Sequence, residues 1–307
     1  MPVIEIENLT KDYELGFFRK RTVRALDNLS LSVDAGQIFG FLGANGAGKT
    51  TTLKLLMRLI FPTSGTARIL ERDIQDVRMH ERIGYLPENP YFYDYLTARE
   101  FLEYCAEIFG SPVVKRKKRT ADLLSRVKLE EKKWDTQLRK FSKGMLQRVG
   151  LAQSLINDPD IVFLDEPMSG LDPVGRREVR DLIASLRDDG KTVFMCSHIL
   201  SDIEVLCDRV AILKRGKLAQ VGHLDELRQR TEGPNRMEIL AANADASALH
   251  FANADISATP RGLRIEISSE DEIESALAAL RKAGGKVVSI QPVKQSLEEL
   301  FLDGSQS

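Results

Sequence analysis

Cysteine is scarce in this sequence. Cys105, Cys196 and Cys207 are scattered, without the paired spacing that holds zinc or frames a set of disulfides. They read as small buried hydrophobes in a reducing compartment. Long apolar runs are missing too: no stretch approaches the roughly 20 residues that cross a bilayer as a helix. Net charge is nearly absent. Lys and Arg total 44 against 45 Asp and Glu, a formal balance of -1. That balance removes any global electrostatic reason to expect nucleic acid or an anionic membrane as a partner. The opening residues, Met1 to Glu7, hold neither a basic patch nor an apolar signal core, so secretion is not expected. Internal repeats and low-complexity tracts are also lacking.

What is present is ordinary globular material, 43% hydrophobic and 29% charged over 307 residues, with room for roughly two domains. Val3 to Glu7 alternates apolar and polar residues, the period of a half-buried strand, and Leu29 to Val33 reads as a second strand. Arg19, Lys20 and Arg21 between them suit a solvated hairpin tip. Between Leu96 and Asn157 the pattern is mostly helical. Thr97 and Glu100 form a capping box ahead of Phe101, Leu102, Cys105 and Ile108. Gly110 to Pro112 ends that helix. The basic run Lys115 to Arg119 opens another, whose apolar face is Ala121, Leu124 and Val127. A basic run is usually a solvated face, though it can also touch lipid headgroups or RNA.

Short apolar runs then return at Ile161 to Leu164, Thr192 to Met195 and Arg209 to Leu213. Val174 to Leu186 is a helix between the first two. This is the βαβ rhythm of a doubly wound sheet, whose ligands bind at the carboxyl ends of the strands. Beyond about Gly222 the texture changes, and Thr231 to Asn235 reads as a linker. Residues 223 to 307 predict a small α+β domain with no chemical motif. Its strands are Leu263 to Ile267 and Lys286 to Ile290. Ser269 to Glu272 caps a helix faced by Ile273, Ala276, Leu277 and Leu280, and Ser296 caps a last short one.

The most specific pattern is Gly43-Ala44-Asn45-Gly46-Ala47-Gly48-Lys49-Thr50, a phosphate loop at every fixed position. An apolar strand, Ile38 to Leu42, enters it. A helix leaves it at Thr51, with Leu53, Leu56, Met57 and Ile60 at helical spacing. Strand, glycine loop and helix together aim backbone N–H groups and a positive helix end at one anion. Lys49 then meets the outer phosphates, and Thr50 offers its hydroxyl to Mg2+. The second strong pattern is Ile161 to Glu166. A phosphate loop needs a carboxylate across the site to hold Mg2+, which Asp165 supplies at a strand end. Glu166 follows it, in position to take a proton from an attacking water.

With these elements the chain resembles the nucleotide-binding subunits of ABC transporters, over residues 3 to about 222. Tyr13 stands where that family stacks an aromatic ring on adenine. Gly43 to Thr51 is its phosphate loop. Glu88, in Tyr85-Leu-Pro-Glu-Asn-Pro90, stands where a glutamine usually ligates Mg2+ and contacts the membrane subunit. Phe141 to Met145 stands at the signature segment, with Lys143 in place of a glycine and Met145 in place of a glutamine. Ser142 and Gly144 keep the groups that dock on ATP of a second subunit. Ser169 to Asp172 matches the segment linking the two sites, and His198 the histidine that touches the γ-phosphate.

The resemblance implies a P-loop α/β core, a parallel sheet with an antiparallel β subdomain. A helical subdomain is inserted at about residues 88–158 of an ATP-binding domain spanning 1–222, ahead of the C-terminal α+β domain. It implies an ATPase using ATP and Mg2+. Lys49, Glu166 and His198 would be catalytic, and Thr50, Glu88 and Asp165 would hold the metal. Two copies would close head to tail, and a separate integral membrane permease would seat the pair on the cytoplasmic face of the membrane. No nucleic acid is expected. Leu297-Glu298-Glu-Leu-Phe301-Leu302 matches a C-terminal pattern of the exporter branch. Tyr91 to Tyr95 suits either core packing or a groove for a partner helix. Three rivals remain. A soluble ABC-type ATPase acting on ribosomes or DNA usually carries two cassettes or a long coiled coil. A P-loop kinase of small metabolites would lack Asp165-Glu166 and Ser142-Lys-Gly144. An ATP-gated regulatory module would signal with little turnover.

Overall fold

The computed structural model describes residues 1–16, 21–231, 237–242, 254–259, 262–267 and 272–292. The chain divides into two compact units, Met1–Leu224 and Asp225–Ser307. In the first, β1 (Pro2–Leu15) and β2 (Arg21–Asp34) form an antiparallel pair. Alternation buries Ile4, Ile6 and Leu9 on one strand and Leu29, Leu31 and Val33 on the other. The pairing runs well past Glu7 and Leu29, from Pro2 opposite Asp34 to Leu15 opposite Arg21. The expected strands are therefore too short. Backbone ladder bonds extend them through polar residues that carry no hydrophobic signal. Arg21 opens β2; Arg19 and Lys20 lie outside the described residues. β4 (Ser64–Ile69) and β5 (Arg72–Asp73) complete a sheet of order β2-β1-β4-β5.

The second sheet contains β3 (Ile38–Leu42), β6 (Ile83–Leu86), β7 (Ile161–Asp165), β8 (Thr192–Ser197), β9 (Arg209–Lys214) and β10 (Lys217–His223). Its order is β10-β9-β3-β8-β7-β6. All its neighbours are parallel except the β9–β10 hairpin. Strands β3, β7 and β8 are buried along their whole length, as covered parallel strands are. Phe194 is their hub, with ring centres 5.4 Å from Phe39, 5.3 Å from Phe41 and 5.6 Å from Phe163. All three cysteines are buried free thiols, and Cys196 joins this packing. Helix α1 (Lys49–Leu56) follows β3 and stops at Met57, short of the expected Ile60.

The helical insertion holds α2 (Ala98–Ile108), α3 (Val113–Arg126) and α4 (Lys143–Ser154). The capping box on α2 is complete: the Thr97 hydroxyl accepts from the Glu100 N–H, and Glu100 accepts from the Thr97 N–H. Helix α3 starts two residues before the basic run. It buries Thr120, Leu123 and Leu124, and Val127 just past its end, with Ala121 half-buried. Helix α4 packs on β6 so closely that a Cβ on Gly150 would sit 2.7 Å from the Leu86 side chain. Helices α5 (Pro173–Asp188) and α6 (Leu200–Leu206) flank β8. Asp172 caps α5 by accepting from the Gly175 N–H at 3.0 Å.

After α7 (Leu224–Thr231) come β11 (Met237–Ala242), β12 (Ala254–Thr259), β13 (Gly262–Ile267), α8 (Ile273–Lys282) and β14 (Lys286–Pro292). Their antiparallel sheet has the order β12-β13-β11-β14. Ile239, Ile265, Ala276 and Leu280 form its buried core. Composition hid β11 and β12, which are six residues long with two alanines each. Ser269, Ser296 and Leu297 to Leu302 lie outside the described residues. Among the described residues, no helix is long and apolar enough to cross a membrane.

Candidate nucleotide site

Parallel register places the chemistry. Leu42 lies beside Ser197 in the β3–β8 pair, Asp165 beside Cys196 in β7–β8, and Leu86 beside Leu164 in β6–β7. The residues just beyond these strand ends therefore gather along one edge: the loop from Gly43, then His198, then Asp165 and Glu166, then Glu88. Each arrives on a different strand, and ligands of open α/β sheets bind at such an edge.

The loop wraps because its glycines permit it. Gly48 has φ +109°, and a Cβ there would sit 2.6 Å from the Ala25 carbonyl oxygen. This left-handed conformation caps α1 and turns its N–H groups toward the loop's hollow. A cleft of about 420 Å3 opens there, lined by Ala44, Asn45, Gly46, Gly48, Lys49, Thr50, Thr51, Glu88, Glu166 and Ala25. Ala25 was not legible as a site residue. Its carbonyl packs within reach of both Gly48 and Gly216, and that contact exists only after β2 meets the loop. Gly43 and Ala47 are loop residues that do not line the cleft.

Three polar relationships organise the hollow. Lys49 Nζ donates to the Gly43 carbonyl at 2.7 Å and stands 3.5 Å from Glu166 Oε1, with both side chains buried. His198 Nδ1 is 2.9 Å from Glu166 Oε2. The Thr50 hydroxyl donates to Asp165 Oδ2 at 3.0 Å, leaving Asp165 Oδ1 buried without a hydrogen-bond partner. Burial pushes the Asp165 carboxyl up to about 6. The Glu166 and Glu88 charges add to that rise, against the Thr50 hydrogen bond and Lys49. Glu166 itself sits at φ +51°, a left-handed backbone uncommon for a residue with a Cβ. It is held there by its N–H donating to the Cys196 carbonyl at 3.0 Å.

The donor set fits a small divalent cation. A buried carboxylate oxygen without a partner, a hydroxyl already oriented beside it and a second carboxylate at the mouth are hard oxygen ligands. Among the described residues, no cluster of three or more His, Cys, Asp or Glu side chains is placed to hold a metal alone. Mg2+ ordinarily completes its shell with waters and phosphate oxygens, so such a cluster is not required.

The remaining candidates lie apart. Tyr13 pairs with Val23 across the β1–β2 ladder, half-buried, with the Lys11 ammonium 5.2 Å from its ring centre. It does not line the cleft. Ser142 caps α4 by accepting from the Met145 N–H at 3.3 Å. Neither it nor Gly144 lines this chain's own cleft. The Lys143 side chain lies over Gly170, whose Cβ, if present, would meet its Nζ at 2.5 Å. Of the aromatic run, Phe92 is buried against Phe101, ring centres 5.2 Å apart, whereas Tyr91 is 89% exposed. The run thus divides between core and surface.

The family models match this arrangement. One described as "ABC transporter" covers residues 26–169, and one described as "ATP-binding protein DrrA1-3-like, C-terminal domain" covers residues 222–304. An uncharacterized ABC transporter ATP-binding protein of Nostoc sp. (strain PCC 7120) is 45% identical over 98% of this chain and 89% of its own. The chain belongs to the ABC transporter ATP-binding proteins. The bacitracin transport ATP-binding protein BcrA of Bacillus licheniformis is 36% identical over 98% of this chain and 96% of that one. Nod factor export ATP-binding protein I of Ralstonia nicotianae is 35% identical, over 88% and 80%. A dimeric ATP-binding cassette solved with ADP and phosphate superposes with a TM-score of 0.67 at 27% identity, covering 72% of this chain and 98% of that one. This ABC subunit has the P-loop NTPase fold.

Proposed function

We propose that two copies of this ABC subunit close over two ATP molecules and hydrolyse them, driving export through a separate membrane permease. The observation that carries the reading is the convergence of Lys49, Glu166 and His198 at one strand edge, beside the Thr50–Asp165 pair. The loop N–H groups and Lys49 bind the phosphates. Thr50, Asp165 and Glu88 hold Mg2+, which when bound neutralises phosphate charge. Glu166 orients a water and takes its proton. His198 holds Glu166 from one side and reaches the γ-phosphate. Tyr13 stacks on adenine.

Ser142 and Gly144 do not line their own cleft, which suits residues that serve a partner's nucleotide. The cap at Ser142 leaves further N–H groups of α4 free for a phosphate. The dimeric solved cassette supports the sandwich. The export and transport names of the relatives support the direction and the permease partner, which would hold the pair on the cytoplasmic face of the membrane. Exposed Tyr91 and Tyr95, directly after Glu88, supply a surface through which closure pulls on that permease.

Phosphate release with Mg-ATP, compared with Glu166→Gln, tests the reading. A wild type that turns over and a variant that holds ATP as a dimer are expected. Wild-type protein that binds ATP without ever dimerising or releasing phosphate would instead favour a regulatory module.

A further inference from the structure

The corner between α2 and α3 carries charge and apolar surface that the nucleotide site does not use. Ile108, Phe109, Val113 and Val114 are 66%, 45%, 57% and 83% exposed. Scattered exposed hydrophobes are ordinary, but these stand together on one short stretch of chain. Lys115, Lys117 and Lys118 follow, all exposed. None of the three makes an ion pair or hydrogen bond among the described residues. Helical spacing sets Val114 beside Lys117 and Lys118, and Lys115 beside Lys118.

The two arginines of the same run behave differently. Arg116 reaches back across the corner to Glu107 at 2.6 Å. Arg119 donates to the Leu155 carbonyl at 2.6 Å and pairs with Asp158 at 3.3 Å. Arg116 ties α3 to α2 and Arg119 ties it to the end of α4; among the described residues the three lysines make no such tie. The lysines also occupy the first turns of α3, which has no acidic residue in its first turn. The helix dipole disfavours cations there, so folding alone gives no reason for them.

We propose that this corner rests on an anionic lipid surface. The lysines would meet headgroup phosphates, and the four apolar side chains would enter the headgroup boundary. Cations flanking exposed apolar side chains are the composition that lies on such an interface. A nucleic acid backbone would answer the lysines alone and leave the valines and Phe109 in water. The inference rests on the proposed permease only for keeping the subunit near a membrane.

The test needs no permease. Full-length protein is sedimented with vesicles of phosphatidylcholine, or of phosphatidylcholine mixed with phosphatidylglycerol, while nucleotide binding is followed on the same samples. Binding to the mixed vesicles alone, weakened by salt, is expected. Replacing Lys115, Lys117 and Lys118 by Gln should weaken it on the order of a hundredfold, the combined worth of three cations at an anionic surface. Val113→Ser with Val114→Ser should weaken it at every salt concentration. Both variants should keep wild-type circular dichroism and nucleotide binding. Wild type that ignores anionic vesicles, equal binding to neutral ones, or an unaffected lysine variant would each overturn the proposal. So would lysine-dependent capture of polyuridylate without vesicle binding. Failure to bind nucleotide would count against the proposed function and not against this surface.

Discussion

His198 Nδ1 and Glu166 Oε2 stand 2.9 Å apart, while Lys49 approaches the other oxygen of the same carboxylate at 3.5 Å. Both oxygens of the proposed base are thus engaged by groups from elsewhere in the chain, Lys49 at the start of α1 and His198 just past β8. Seating a γ-phosphate would draw Lys49 away and free one oxygen for water. Glu166→Gln keeps the shape and removes the proton acceptor. Phosphate release should fall on the order of 100-fold or more, while ATP stays bound. Size-exclusion chromatography with Mg-ATP should show a dimer; a monomer would count against the two-copy site.

His198→Ala removes one holder of Glu166 without touching the loop. Turnover should fall by a similar order, with affinity for a fluorescent ATP analogue nearly unchanged. A large loss of affinity with normal turnover would reassign His198 to ground-state binding.

Asp165→Asn separates stability from metal binding. Without metal, the folded-state carboxyl is raised to about 6 from the ordinary 3.8, chiefly by burial. Its contribution is thus fully present below pH 3.8 and lost as pH rises through 6. At neutral pH the ionised group costs the empty protein roughly 2–3 kcal/mol. The Asn variant in EDTA should therefore melt higher than wild type at neutral pH, with the gain shrinking as pH falls toward 4. It should also lose the stabilisation that Mg-ATP gives wild type. Calorimetry across pH checks both.

Glu88→Gln takes one carboxylate from the cleft mouth. Metal-free ATP should then bind more tightly than it does to wild type, and added Mg2+ should improve binding by a smaller factor, because less negative charge opposes the phosphates. Titration calorimetry with and without EDTA reads the two factors. Identical factors in both proteins would remove Glu88 from the metal's surroundings.

Gly48→Ala tests the loop's shape. The new Cβ would meet the Ala25 carbonyl oxygen at 2.6 Å with φ at +109°. A loss of more than about 1 kcal/mol in stability and a weakened phosphate site are expected from urea melts and nucleotide titration.

Much of this molecule was readable as local pattern. The phosphate loop, the strand ending in Asp165-Glu166, the Thr97–Glu100 capping box and the Asp172 cap depend on residues within a few positions of one another. Fixed spacing therefore determined them before any tertiary contact formed. Other features need distant segments to meet. The lengths of β1 and β2 follow from their ladder, Ala25 enters the cleft only when β2 reaches the loop, and Arg116 and Arg119 differ from their lysine neighbours only once Glu107 and Asp158 are brought alongside. The pairing of Lys49 and His198 on Glu166 joins three segments far apart in the chain. The sequence alone determined which groups carry the chemistry; parallel strand register, through backbone hydrogen bonds that no side chain encodes singly, decided which of them face one another.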